Sequence, residues 1–256
     1  MDLPSYQSAL IRKPGINFRE GITTANLGVP SVELALQQHQ QYQQFLEDQG
    51  VKVWTLEADV SHPDCPFVED TMLITEKGAL SLRPHVKSRR GEVESVSAFL
   101  STQMDILPLP SLESLEGGDI VRLEDHFFVG LSKRSQQGAV DILSQQLRTW
   151  GFTVSTLPVP KALHLKSLLT YLGKGLVVAA PALAKHPALK GYEVLTLSKE
   201  EQHGANCLSI NGKIGISTGC PDLYAQLKSR GLETQVIDLS EFRKMDGALS
   251  CLSLLW

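Results

Sequence analysis

The chain has 256 residues, 42% hydrophobic and 20% charged, with a formal net charge of -4. That length and balance supply ample material for the core of a globular protein, and no linker rich in proline, glycine or serine divides residues 1–256. The mild acidity argues against a nucleic-acid partner, and no apolar run of roughly 18 residues suggests a membrane span.

The N-terminal stretch lacks the basic and apolar regions of a signal peptide, so the expected location is cytoplasmic. The first predicted helix runs over residues 33–49, where Leu34, Leu36, Tyr42, Phe45 and Leu46 share a face. Ser31 is its expected cap and Gly50 its stop. Further helices are predicted over residues 91–100, 136–149, 167–172 and 221–230. Strands are predicted over residues 52–56, 71–75, 79–82, 120–123, 127–131, 175–179, 207–210, 213–217 and 235–238. A final strand is expected to open at Cys251 and to be completed by the N-terminal Ala9-Leu10-Ile11-Arg12.

A polar residue leading into a strand, a polar turn and a second strand recur along the chain. The recurrences begin near Asp70, Asp119, His164, Asn206 and Cys251, at intervals of about 49, 45, 42 and 45 residues. Self-similarity at a fixed period is the mark of a repeat architecture. Five units closed into a ring would bring acidic residues, a histidine, an asparagine and a cysteine to one centre. Chance similarity among hairpins of an ordinary α/β protein is the other reading.

Four cysteines, Cys65, Cys207, Cys220 and Cys251, are widely spread and match no zinc spacing. Free cysteines are usually small core residues. His164, between two leucines, reads equally as a core histidine, and Gly117-Gly118 is first of all a turn signal. If Cys251, His164, Asp119, Glu116 and Asp70 converge, however, the chemistry is specific. Carboxylates would hold a guanidinium by paired hydrogen bonds and set its planar carbon against the sulfur. Those carboxylates would also raise the thiol pKa until the bound cation offsets them. The imidazole would serve as acid to the leaving amine and as base to water.

Seven segments, in order, resemble the motifs of the dimethylarginine dimethylaminohydrolase family. They are Pro63-Asp64-Cys65-Pro66-Phe67-Val68-Glu69-Asp70, Ser88-Arg89-Arg90-Gly91-Glu92, Leu115-Glu116-Gly117-Gly118-Asp119 and Phe128-Val129-Gly130-Leu131-Ser132-Lys133-Arg134. The others are Leu163-His164-Leu165-Lys166, Ala205-Asn206-Cys207 and Met245-Asp246-Gly247-Ala248-Leu249-Ser250-Cys251. The resemblance covers nearly the whole chain. It implies the α/β fold known as a five-bladed α/β propeller, or pentein, in one catalytic domain.

It also implies hydrolysis of Nω-methylated arginine to citrulline and an alkylamine, with no metal or organic cofactor. By position Cys251 is similar to the nucleophile, His164 to the proton donor and base, and Glu116 to the acid completing that group. Asp70, with Glu69 beside it, resembles the guanidinium-binding acid. Arg89 and Arg134 match the clamp on the substrate carboxylate, for which a planar fork suits better than lysine. Asp64 matches a contact to the α-amino group, and Ile22 and Met245 match donors of backbone carbonyls.

Arginine deiminase is the rival chemistry, in a family that usually carries a helical insertion this chain lacks. Outer helices could support a homodimer. Cys65 stands where serine is common, and His203 where an aromatic is commoner. Residues 13–24, with Gly15 and Gly21, resemble a mobile lid whose tip departs from the family pattern.

Overall fold

The computed structural model describes residues 5–159 and 161–256, and their strands form five three-stranded sheets of one pattern. In each, the middle strand pairs antiparallel with the first and parallel with the third. The first complete sheet is β3 (Met72–Thr75), β4 (Gly78–Ser81) and β5 (Ile106–Pro108). The next joins β6 (Ile120–Leu123), β7 (His126–Leu131) and β8 (Thr153–Pro158). Then come β9 (Leu169–Gly173), β10 (Leu176–Ala179) and β11 (Glu193–Thr196), followed by β12 (Leu208–Ile210), β13 (Lys213–Ser217) and β14 (Glu233–Ile237).

The last sheet draws on both ends of the chain. The β1 strand (Ser8–Arg12) lies between β2 (Lys52–Leu56) and β15 (Leu254–Leu255), pairing Ala9 with Leu255 and Leu10 with Leu254. The five sheets are the blades of an α/β propeller, and the weak repeat in the sequence is the repeat of the blade.

A parallel pair cannot be closed by a tight hairpin, so each blade needs a crossover between its second and third strands. Four crossovers contain helices: α1 (Val32–Glu47), α2 (Glu92–Leu100), α3 (Gln137–Thr149) and α4 (Pro221–Ser229). The third blade crosses through the 3-10 turn Pro187–Leu189 instead. Ser31 caps α1 through its side chain, which accepts from the Leu34 amide at 3.3 Å, as expected.

The predicted helix over residues 167–172 is instead β9, preceded by the 3-10 turn Leu165–Ser167. A short leucine-rich run fits either state by composition. Here Leu169 and Leu172 are buried while Thr170 and Tyr171 face half-open surroundings, and pairing with β10 decides. The strands β5, β8 and β11 carry no expectation from the sequence: β5 is only three residues long, and β8 and β11 are mostly exposed or half-exposed with little alternation to read. Cys251 does not open a strand. It sits within the 3-10 turn Ser250–Leu252, ahead of β15.

A 3-10 turn leads into the first strand of every blade: Val68–Thr71, Gly117–Asp119, Leu165–Ser167, Gln202–Ala205 and Ser250–Leu252. Successive turns touch from Ser250–Leu252 through Val68–Thr71, Gly117–Asp119 and Leu165–Ser167 to Gln202–Ala205. Asn206 closes the circuit by bonding both the amide and hydroxyl of Ser250, each at 3.0 Å. The residues at these turns therefore meet on the ring axis, while the apolar clusters lie outside them. Within the latter, Tyr42 of α1 is buried and its hydroxyl donates to the Leu249 carbonyl, tying the helix to the Cys251 loop.

Candidate active site

Two cavities lie near the ring axis. A small one, about 30 Å³, is lined by ten of the residues named above or their neighbours together with Phe67 and Leu163. It brings together Ile22, Asp64, Asp70, Arg89, Arg134, His164, Met245 and Cys251. Eight of the ten residues singled out in the sequence thus share one lining, although they come from every part of the chain. The other cavity, about 930 Å³, opens between blade strands and reaches Glu69, Gly117, Lys166 and Ser250.

Glu116 and Glu69 stand outside the small cavity, each for a definable reason. Glu116 is fully buried behind His164, and one of its oxygens lies 2.6 Å from His164 Nε2. The other accepts from the His85 amide at 2.8 Å and faces Arg134 Nη1 at 3.4 Å. Glu69 turns toward the large cavity, where it pairs with Lys166 and accepts from the Ser250 hydroxyl at 2.8 Å. It contacts the residue preceding the nucleophile candidate rather than the space beside Asp70.

His164 is held from three sides. Asp119, itself buried, accepts from the Leu165 amide at 2.8 Å and so fixes the backbone just beyond His164. The other Asp119 oxygen accepts from the hydroxyls of Ser132 and Ser135, both at 2.6 Å, shaping the turn that carries Arg134. Gly118 completes the cradle, because a Cβ there would lie 2.5 Å from His164 Nδ1. Gly117 is equally constrained: its Cβ would overlap the Glu69 carbonyl. The glycine pair is a requirement of close approach as well as of the turn.

The electrostatics follow from this packing. Burial alone would depress the His164 pKa, but Asp70, the Glu116 hydrogen bond and Asp119 outweigh it and raise it to about 9. His164 therefore carries a proton at neutral pH. Asp70 is held low against the opposing pull of burial by His164 and by Arg89, which donates to it at 2.8 Å. The half-buried Cys251 thiol is pushed well above its ordinary value, first by burial and then by Glu69 and Asp70. In the free protein the sulfur is a thiol.

Arg89 spends most of its fork on the protein, with Glu92 taking Nε and Nη2 and the Phe67 carbonyl also accepting from Nη2. One Nη1 hydrogen is left for a ligand. Arg134 makes only the long contact to Glu116 through its side chain and keeps more of its donors. Asp64 has its pKa raised by burial and accepts the Ile22 amide at 3.1 and 3.2 Å. Phe67 packs where a side chain on Gly247 would overlap its ring, setting the height of the loop that ends at Cys251.

Asp70, Glu116 and His164 bring ligand-type atoms within 4.8 Å of one another. Arg89 and Arg134 already balance the two carboxylates, so the cluster is arranged as an ion-pair network. Cys65 is buried and exchanges contacts with the Asp59 backbone, with burial raising its pKa to about 11. His203 donates from Nε2 to the Thr218 carbonyl at 3.0 Å in that tautomer and lies 3.4 Å from Cys220 Sγ, away from the cavity. Of residues 13–24, Ile22 lines the cavity, while Phe18 is buried in the core.

Sequence reasoning missed the supporting residues Ser250, Lys166 and Asp246. Only their place inside the motifs marked them, since each acts through contacts between distant blades. No helix among the described residues is long and apolar enough to cross a membrane.

Comparison with known proteins agrees with this geometry. The family profile described as N,N dimethylarginine dimethylhydrolase, eukaryotic, matches residues 29–216. The N(G),N(G)-dimethylarginine dimethylaminohydrolase of Pseudomonas aeruginosa is 32% identical over 253 residues, spanning 97% of this chain and 99% of the relative. The enzyme of the same name from Streptomyces coelicolor is 32% identical over 261 residues, spanning 98% and 97%. A solved structure of the Pseudomonas aeruginosa protein, a cysteine-to-serine mutant complexed with citrulline, superimposes with a TM-score of 0.96 at 30% identity. It covers 98% of this chain and 100% of its own. With that profile and those full-length relatives, this chain belongs to the dimethylarginine dimethylaminohydrolase family.

Proposed function

We propose that this protein is a single-domain hydrolase that converts Nω-methylated L-arginine to L-citrulline and dimethylamine or methylamine. The observation that carries the reading is the shared cavity of Cys251, His164 and Asp70, with Glu116 bonded behind the imidazole. Family membership and the citrulline complex of a relative support it.

Asp70 accepts N–H groups of the substrate guanidinium and sets its carbon over Cys251 Sγ. Arg134 and the remaining Arg89 hydrogen take the α-carboxylate, while Asp64 and the carbonyls of Ile22 and Met245 take the α-ammonium. The arriving cation offsets Glu69 and Asp70, so Cys251 passes its proton to solvent water and the thiolate forms. Its electron pair makes the S–C bond and yields a tetrahedral adduct. His164 gives its proton to the alkylamine nitrogen as the C–N bond breaks, leaving an S-alkylthiouronium.

Glu116 steadies the imidazolium before transfer and orients the neutral ring after it. His164 then takes a proton from water as the oxygen attacks the same carbon. The second adduct forms its C=O bond as the C–S bond breaks, the hydroxyl proton passes to the departing sulfur to restore the Cys251 thiol, and citrulline is released while His164 keeps the proton taken from water. Glu69, read from the sequence as a neighbour of Asp70 at the substrate, acts in this reading on Ser250 instead.

The test is citrulline release from asymmetric dimethylarginine, monomethylarginine and arginine by the wild type and Cys251→Ser. The wild type should favour the methylated substrates, and Cys251→Ser should bind citrulline without turnover. Faster turnover of arginine would move the assignment to deiminase chemistry. Tight binding of these guanidines with no product from the wild type would make the protein a binding module.

A further inference from the structure

The small cavity, about 30 Å³, is tight for an amino acid, and Ile22 of the covering segment is part of its lining. Lys13 ties that segment to Leu56 and Glu57, Phe18 is buried against Phe67 and Phe242, and beyond Lys13 the segment has three polar attachments. Near its base, Asn17 Nδ2 donates to the Val60 carbonyl at 3.0 Å. At its middle, the Ile22 amide is held by Asp64, inside the cavity. At its tip, Thr23 and Thr24 are held from the Cys251 loop by Asp246 and the Lys244 carbonyl.

The tip attachment is the densest of the three. One oxygen of Asp246 accepts the Thr24 amide at 2.6 Å, the Thr24 hydroxyl at 3.1 Å and the Thr23 hydroxyl at 3.3 Å. The Thr23 hydroxyl also lies 2.7 Å from the Lys244 carbonyl and 3.0 Å from the Ala25 amide. These are bonds to a carboxylate, the stronger kind, yet the two threonines are otherwise exposed.

Asp246 also sits at φ +60°, the left-handed region that aspartate, asparagine and glycine tolerate best. This turns the chain between Met245 and Gly247 while its carboxylate reaches outward to the lid. The Asp64 attachment differs in kind. In the reading above, Asp64 also takes the substrate ammonium, so ligand and lid share one carboxylate. Asp246 is left as the attachment that closure can rely on when substrate is bound.

We propose that Asp246 is the latch of the lid, a positioning residue that sets how tightly the closed cavity retains its amino-acid ligand. The inference rests on the proposed function for its kinetic consequence, but not for the latch itself. Because Asp246 directly follows Met245, closing the lid also braces the loop that supplies a carbonyl to the substrate.

The experiment compares wild type, Asp246→Gly, Asp246→Asn and the lid-side pair Thr23→Val/Thr24→Val. Glycine keeps the left-handed backbone and removes the acceptor; asparagine keeps an acceptor of the same shape. Asp246→Gly should raise KM for dimethylarginine by about ten-fold with kcat within about two-fold, and Asp246→Asn should restore most of the loss. The threonine pair removes the two hydroxyl bonds to Asp246 but keeps the Thr24 amide bond, so it should raise KM by less, and combining it with Asp246→Gly should add little beyond Asp246→Gly alone.

Amide hydrogen exchange over residues 13–26 gives a readout independent of turnover, and it should quicken about ten-fold in Asp246→Gly at unchanged Tm. Unchanged KM and unchanged exchange in Asp246→Gly would overturn the latch, as would fully additive effects of the two sets of changes. If the wild type turns over no methylarginine, the functional reading fails, and the exchange measurement still decides the latch.

Discussion

His164 and Glu116 stand 48 residues apart in the chain, yet imidazole Nε2 and carboxylate Oε2 meet at 2.6 Å in a fully buried pair. A carboxylate there favours the imidazolium, and after Asp70 the Glu116 hydrogen bond contributes to raising the His164 pKa to about 9. Glu116→Gln keeps the shape and removes the charge. We expect kcat to fall by about 10²-fold. The acid form of His164 is needed for amine departure, so activity is lost as pH rises through its pKa. The alkaline limb of the kcat profile should therefore move to lower pH in Glu116→Gln, and an unmoved limb would remove Glu116 from this role.

The same shift has a consequence for stability. The folded pKa of His164 lies above its unfolded value, so its contribution is fully present below about pH 6.5 and lost as pH rises through about 9. Thermal melts across that window should show Tm of the wild type declining with pH. His164→Gln, which has no proton to lose, should show a flatter profile, and parallel profiles would contradict the electrostatic account.

Gly118→Ala introduces a single methyl group 2.5 Å from His164 Nδ1. The ring must move to admit it, and a displaced ring loses its bond to Glu116. We expect kcat to drop by about 10²-fold, with a much smaller effect on the binding of citrulline. Wild-type kcat in this variant would show that the cradle does not set the ring.

Asn206 bonds both polar groups of Ser250, next to the nucleophile candidate. Asn206→Ala should lower kcat by about ten-fold while leaving KM nearly unchanged, because the sulfur moves and the substrate contacts stay. A rise in KM alone would place Asn206 among the binding residues instead.

Arg134 keeps more free donors than Arg89 and is the better candidate for the substrate carboxylate. Arg134→Lys retains charge but loses the planar fork. KM should rise by about ten-fold or more, and an uncharged α-carboxamide substrate should lose the discrimination between arginine and lysine at this position. Equal KM values for the two proteins would refute the clamp.

Much of this site was legible because residues that lead into strands carry chemistry at a regular spacing. Asp70, His164 and Cys251 are set in recurring polar-to-apolar boundaries, and the ring brings such boundaries together. Glu69 and Asp70 part company for a physical reason: neighbours in a 3-10 turn point to different sides, so Asp70 faces one cavity and Glu69 the other. Asp246 was invisible for another, since its partners Thr23 and Thr24 are more than two hundred residues away. The β9 strand was hidden by leucines that suit a helix as well as a sheet, and only its neighbour β10 resolves the choice.

The blade that crosses over through Pro187–Leu189 does without an α-helix, and yet its opening turn delivers His164 to the axis in full register with the others. Chemistry and perimeter are thus built from separable parts of the same unit. The outer wall can be shortened, recharged or given over to contacts with other molecules while the hub stays as it is. Engineering of solubility or assembly should begin on that wall.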